Sequence, residues 1–118
     1  MLGHVPRQSH PLVRGALKHH DLDGDIRCVW EAPGVVFHAD CVDAVRKATA
    51  ALGFGALEMV SGAGHDSCNV AAVAPTAMIF VPCAGGLSHN EAESAMPSDL
   101  TAGANVLLHA MVALAAGA

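Results

Sequence analysis

Between Pro75 and Pro82 the chain reads TAMIFV, an uncharged apolar run bracketed by two residues that donate no backbone hydrogen bond. Its length and composition predict a strand, and because both alternating sets are apolar, one buried on both faces. Strands of that kind belong to parallel sheets covered by helices, so the fold class expected is α/β. The rest of the composition agrees. Hydrophobic residues make up 53% of the chain, charged residues 14% and aromatics 3%, so its core must be aliphatic and rich in small side chains. A chain this apolar is not disordered.

With 118 residues there is room for one domain, and so short and apolar a chain leaves hydrophobic surface for further polypeptide or a partner to cover. The net charge is −5 with six scattered Lys and Arg residues, which leaves no electrostatic footprint for nucleic acid. Met1–Pro11 carries His4, Arg7 and His10 and has no apolar h-region, so no signal peptide is read there. Thr101–Ala118 contains Asn105, His109 and two glycines and is read as too short and polar for a membrane span. A soluble, cytoplasmic protein is expected. Cys28, Cys41, Cys68 and Cys83 are far apart with no C-x-x-C pair, which argues for reduced, mostly buried thiols over a structural zinc knuckle.

In chain order, Met1–His10 shows no periodicity and reads as a loose terminus. Pro11–His20 has a short helical pattern interrupted by Gly15. Asp21–Asp25 is a turn whose alternate carboxylates suggest a calcium loop, but Ala32 stands where the bidentate Glu belongs. Ile26–Trp30 reads as a short strand ended by Pro33-Gly34. Asp40 is placed as the N-cap of a helix with Val42, Val45, Ala48 and Leu52 on its apolar stripe, and Gly53 as its C′ residue. Gly55–Ser61 follows as a buried strand, then a short helix from about Asp66 to Val73. The last helix is expected to begin at Ser98 or Asp99, with Leu100, Ala104, Leu107, Met111 and Leu114 as its core-facing seam.

The chemistry concentrates in two glycine-bearing loops, SGAGHD and AGGLSHNE, which flank the apolar run and each deliver a histidine, His65 and His89. In an open α/β sheet both loops fall at one edge, where ligands collect. His89, just beyond a strand end, is a candidate metal ligand, since neutral imidazole binds zinc and other divalent ions. A single histidine makes no site, because a catalytic zinc takes about three protein ligands; the ordinary alternative is a surface histidine. Glu91 and Glu93 read as solvated loop carboxylates. SGAGHD presents backbone N–H groups toward an anion, or is a tight turn with Asp66 capping a helix; the two readings weigh evenly. No G-x-G-x-x-G or G-x-S-x-G motif is present. His4, His10, His19, His20, His38 and His109 carry no spacing signal, and adjacent His19 and His20 should face different directions on a helix.

The stretch MVSGAGHDSCNVAAVAPTAMIFVPCAGGLSHNEAES, followed by DLTAGANVLLHAMVALA, resembles the C-terminal end of a di-metal amidohydrolase family. It comprises N-carbamoyl-L-amino-acid hydrolases, allantoate amidohydrolases and β-ureidopropionases, within the aminoacylase/carboxypeptidase-like superfamily. The likeness runs from about Val29 to Ala116 and is poor before Trp30. It implies a partial three-layer sheet-and-helix catalytic domain with mostly parallel strands, as a C-terminal fragment. Residues 1–37 then hold the loose N-terminus and a remnant of the lid and dimerisation domain, and 38–118 the C-terminal portion of the catalytic domain. It also implies that His89 is a ligand of the second metal ion, zinc, manganese or cobalt, and that Gly64 and His65 contact the substrate. The family reaction is hydrolysis of a carbamoyl or ureido C–N bond by a metal-bridging water, with a glutamate as general base.

Against that pattern, no H-x-D-x-x-P segment or Glu-Glu pair occurs, and most of the lid is missing. The expectation is one part of such an enzyme, inactive alone, partnered by the missing N-terminal part or a second copy and meeting a small N-carbamoyl or ureido substrate. No catalytic residue is assigned to it, and neither nucleic acid nor membrane is expected as a partner. The alternative is a non-catalytic binding or interaction module that keeps the α/β core.

Overall fold

The computed structural model describes residues 5–29 and 32–117. The chain divides into two units, Met1–Gly34 and Val35–Ala118.

The first unit is built on helix α1, Val5–His19. It begins within the segment expected to be loose and runs through Pro11. That proline forfeits one backbone hydrogen bond inside the helix. Lys18 and His19 in the last turn face the negative end of the helix dipole. Asp21 then takes a left-handed φ of 51°, and the Leu22 N–H returns to the Leu17 carbonyl at 2.9 Å, closing the helix end. The His19 and His20 rings meet edge-on at 4.9 Å, contrary to their expected divergence, because His20 lies beyond the last helical residue. Residues 26–29 form no regular strand, and Trp30 lies outside the described residues.

The second unit rests on two helices, α2 (Ala39–Ala51) and α4 (Pro97–Ala116), with the five-residue α3 (Asp66–Val70) between them in sequence. The N-cap of α2 is His38, whose Nδ1 accepts from the Asp40 N–H at 3.3 Å; Asp40, expected there, lies in the first turn. The difference has a tertiary cause. The His38 N–H is held by the Thr76 carbonyl at 3.0 Å, which keeps residue 38 extended just where the helix starts. Gly53 follows the C-cap with φ 72°, a value that favours glycine. Arg46 and Lys47 face solvent, where Lys47 pairs with Asp43 at 2.7 Å and the Arg46 Nε donates to Glu58 at 2.9 Å. The second of these ties α2 to the segment 55–61.

Helix α4 starts at Pro97, with Met96 as N-cap, just ahead of the Ser98 or Asp99 expected. Proline suits that first position, where its missing N–H has no partner to lose. Its packed face centres on Val106 (4% exposed) and Ala110 (3% exposed), which meet Ala48, Val45 and Leu52 of α2 and Ile79. The seam expected to face the core lies to one side. Leu100, Leu107, Met111 and Leu114 remain at least 40% exposed and line an apolar groove with Ile79 and Val81. Small residues decide the face. A methyl group on Gly103 would sit 2.6 Å from Val81 Cγ1, so α4 crosses the 76–81 run at a distance that only glycine permits. By length and composition α4 is also apolar enough to cross a membrane.

Among the described residues no β-ladder forms; 55–61 and 76–82 carry no regular secondary structure. The 76–81 run is nonetheless held on two sides, by the backbone bond from His38 to Thr76 and by the contact of Ile79 with the α2–α4 core.

Candidate active site

The 76–81 run sits between the two histidine loops in sequence. On its N-terminal side, the segment after Ser61 turns into α3, with His65 extended at the N-cap position (φ −137°, ψ 148°). Glycine is not required there by the turn: neither Gly62 nor Gly64 has positive φ, and a methyl on either would meet open space. The loop therefore leaves free volume beside Gly64. Helix α3 is only five residues long and His65 makes no side-chain cap to it, so few amides are aligned behind the loop.

On its C-terminal side, the chain makes a single 3-10 turn, Ala84–Gly86, in which Gly85 and Gly86 take φ of 62° and 70°. Those left-handed values explain the glycine pair. His89 also lies in the left-handed region, at φ 55°, where a residue with a side chain is held only by its surroundings. Here the holder is Glu93. One carboxylate oxygen accepts from the His89 backbone N–H at 2.7 Å, and the other accepts from the Cys83 thiol at 3.3 Å. The Ala84 N–H to the Ser94 carbonyl, at 2.7 Å, closes the same loop at its base.

Glu93 is thus a structural clamp, where sequence reading made it a solvated carboxylate. The Cys83 hydrogen bond, and after it the His89 N–H, holds its carboxyl below the usual range. The same bond to Glu93 raises the Cys83 thiol, helped by burial and the neighbouring negative charge.

The two loops bring the His65 and His89 rings together, centroids 5.6 Å apart and tilted by 56°. His65 is half-buried and His89 exposed. Phe80, from the apolar run, packs edge-on to His65 with centroids 5.4 Å apart. Ser61 Oγ lies 2.7 Å from His65 Nε2 and also accepts the Ala63 N–H at 3.2 Å. Sequence reading placed Ser61 at the end of the expected strand Gly55–Ser61. The four-residue spacing was visible, but whether the chain bends there depends on the backbone. Gly64 adjoins His65, while Glu91 makes no described contact with either ring.

The donor set does not amount to a metal centre by itself. Among the described residues no three His, Cys, Asp or Glu side chains gather closely enough to hold an ion, and Glu93 is already committed. What the site offers is an imidazole pair beside an open glycine loop and an aromatic wall. An exposed imidazole can give one ligand, and a half-buried one can hydrogen-bond a carbonyl or carboxylate oxygen.

The chain is 50% identical over 91 residues to an N-carbamoyl-L-amino-acid amidohydrolase of Rhizobium meliloti, a match covering 74% of this chain and 22% of that enzyme. To the allantoate amidohydrolase of Bacillus subtilis (strain 168) it is 41% identical over 63 residues, covering 53% of this chain and 15% of the other. A solved amidase of the hydantoinase/carbamoylase family from Burkholderia vietnamiensis superposes with a TM-score of 0.77 at 45% identity, over 88% of this chain and 25% of that one. The chain therefore spans about a fifth of the length of the curated relatives it matches. A family profile described as Peptidase family M20/M25/M40 matches residues 12–113, and the chain belongs to that family.

Proposed function

We propose that this chain forms one wall of a divalent-metal amidohydrolase site that cleaves carbamoyl or ureido C–N bonds, in N-carbamoyl amino acids or allantoate-like substrates. His89 supplies one imidazole to a metal ion, zinc, manganese or cobalt, whose other ligands and general base come from polypeptide outside this chain. His65 and Gly64 meet the substrate, His65 as a hydrogen-bond donor and Gly64 by leaving room for close approach. The observation that carries this reading is the meeting of His65 and His89, delivered by separate loops, at a centroid distance of 5.6 Å. It is supported by likeness to enzymes named for N-carbamoyl-amino-acid and allantoate hydrolysis.

In the same reading, 55–61 and 76–82 become strands of a mostly parallel sheet once neighbours flank them, and the half-exposed groove beside α4 supports such further packing. The free thiols of Cys41, Cys68 and Cys83 support a reducing, cytoplasmic setting. The chain alone has no hydrolase activity, because the donor set among its described residues is incomplete.

A chimera tests the reading. Residues 29–116 replace the matching segment of the Rhizobium meliloti amidohydrolase, which is assayed on N-carbamoyl-L-amino acids with added metal. The expected result is activity in the chimera, at least a hundredfold loss in the chimera carrying His89→Ala together with lower metal content, and none in the 118-residue chain with any of the three metals. Full activity and metal content after His89→Ala, or turnover by the chain alone, would overturn it.

A further inference from the structure

We infer that Ser61 is a positioning residue that holds neutral His65 as the Nδ1–H tautomer, reserving that N–H for a carbonyl or carboxylate oxygen and removing His65 from the available metal ligands. Two observations lead there. Ser61 Oγ and His65 Nε2 are 2.7 Å apart. That separation sits at the mode of O–H···O bonds, about 2.7–2.8 Å, and at the short limit of the N–H···O range, about 2.7–3.2 Å, which favours the hydroxyl as the donor in this pair. The Ala63 N–H already donates to Ser61 Oγ, at 3.2 Å, which occupies one of its two lone pairs and leaves its single proton available to the imidazole.

With its Nε2 lone pair engaged by Ser61, a neutral His65 carries its own proton on Nδ1. Among the described residues nothing else takes Nδ1, and the ring makes no cap hydrogen bond to α3. Neither nitrogen then has a lone pair free for a metal ion. The ring also cannot exchange its faces cheaply. Phe80 and His89 hold it at centroid distances of 5.4 and 5.6 Å, and a flip would turn a ring carbon toward the Ser61 hydroxyl. The two imidazoles are therefore chemically distinct: His89 keeps a lone pair to offer, and His65 is a donor. Naming the acceptor as a substrate oxygen rests on the function proposed above; the tautomer does not.

The test is a long-range proton–nitrogen correlation spectrum of the metal-free, nitrogen-15-labelled full chain at a pH where imidazole is neutral. The His65 signals are assigned by their loss in His65→Gln. Free histidine prefers the Nε2–H form, so the Nδ1–H pattern at His65 in the unmutated chain is the expected and distinctive result. Ser61→Ala should move His65 to Nε2–H, and Ser61→Thr, which keeps the hydroxyl, should restore Nδ1–H. An Nε2–H pattern in the unmutated chain, or no change in Ser61→Ala, would overturn the inference. Either result leaves the chimera experiment untouched, and an inactive chimera leaves this spectrum unchanged, so the two proposals fail separately.

Discussion

Substituting Gly103 by alanine sets two effects of known sign against each other. A glycine in a helix interior costs about 1 kcal/mol relative to alanine, so on propensity alone Gly103→Ala should stabilise α4. The new methyl, however, would stand 2.6 Å from Val81 Cγ1. Carbon atoms prefer roughly 3.5–4.0 Å, so one side must give by about 1 Å. Val81 is β-branched and stiff at χ1, which makes that movement expensive. Overpacking of this kind costs ~1–3 kcal/mol, so the net expectation is a loss of about 1 kcal/mol.

The decisive experiment is the double-mutant cycle with Val81→Ala, read by urea unfolding with far-ultraviolet circular dichroism. Once the Val81 methyl groups are gone the clash disappears, and Gly103→Ala should then stabilise by about 1 kcal/mol. The sign reverses, with a coupling of about 2 kcal/mol between the two positions. If Gly103→Ala stabilises equally in both backgrounds, α4 does not cross the apolar run where the structure has it.

Two further outcomes follow from the helices. Pro11→Ala restores a hydrogen-bonding N–H within α1 and removes a helix penalty of about 3 kcal/mol, so helical content should rise in circular dichroism; an unchanged spectrum would place Pro11 outside a helix. On α2, the Lys47 hydrogen bond, and then the charges of Lys47 and Arg46, hold the Asp43 carboxyl below its ordinary range, while Asp43 raises Lys47. The Asp43 contribution is present above the ordinary carboxylate range and lost as pH falls through its lowered value, and the Lys47 contribution is lost as pH rises through its raised one. Both pairs are exposed, so the effect is small and shrinks with salt. Asp43→Asn should flatten the acid limb of a stability-against-pH curve, and an unaltered limb would show that the pair contributes nothing.

Helix α2 was legible because its signals are local. The spacing of Val45, Ala48 and Leu52 and the glycine at position 53 all lie within the element or just beyond it. Its cap was misplaced onto Asp40 because the deciding contact, His38 to Thr76, joins segments far apart in the chain. The seam of α4 was misread for a related reason. That helix has a single charged residue, Asp99, so periodicity barely distinguishes its faces, and Gly103, Val106 and Ala110 win by allowing close approach. Helix α1 was started too late because Pro11 reads as a boundary.

Composition marked 76–81 as a strand candidate, but a ladder also needs neighbouring strands, and none pairs with it among the described residues. In the site, glycine-flanked loops pointed to His65 and His89. The partners that orient them, Ser61 for one and Glu93 with Cys83 for the other, become visible only once the backbone is known, because their roles depend on a bend after Ser61 and a left-handed turn at His89.

Everything proposed for catalysis requires that separate loops deliver the two imidazoles to one place. Nuclear Overhauser contacts between assigned ring protons in the full chain measure this directly. At a centroid separation of 5.6 Å the His65 and His89 ring protons should show mutual cross-peaks, with Phe80 giving a second set to His65. Cross-peaks from His65 to Phe80 without any to His89 would contradict the account, because His89 would then lie away from the site it is said to complete.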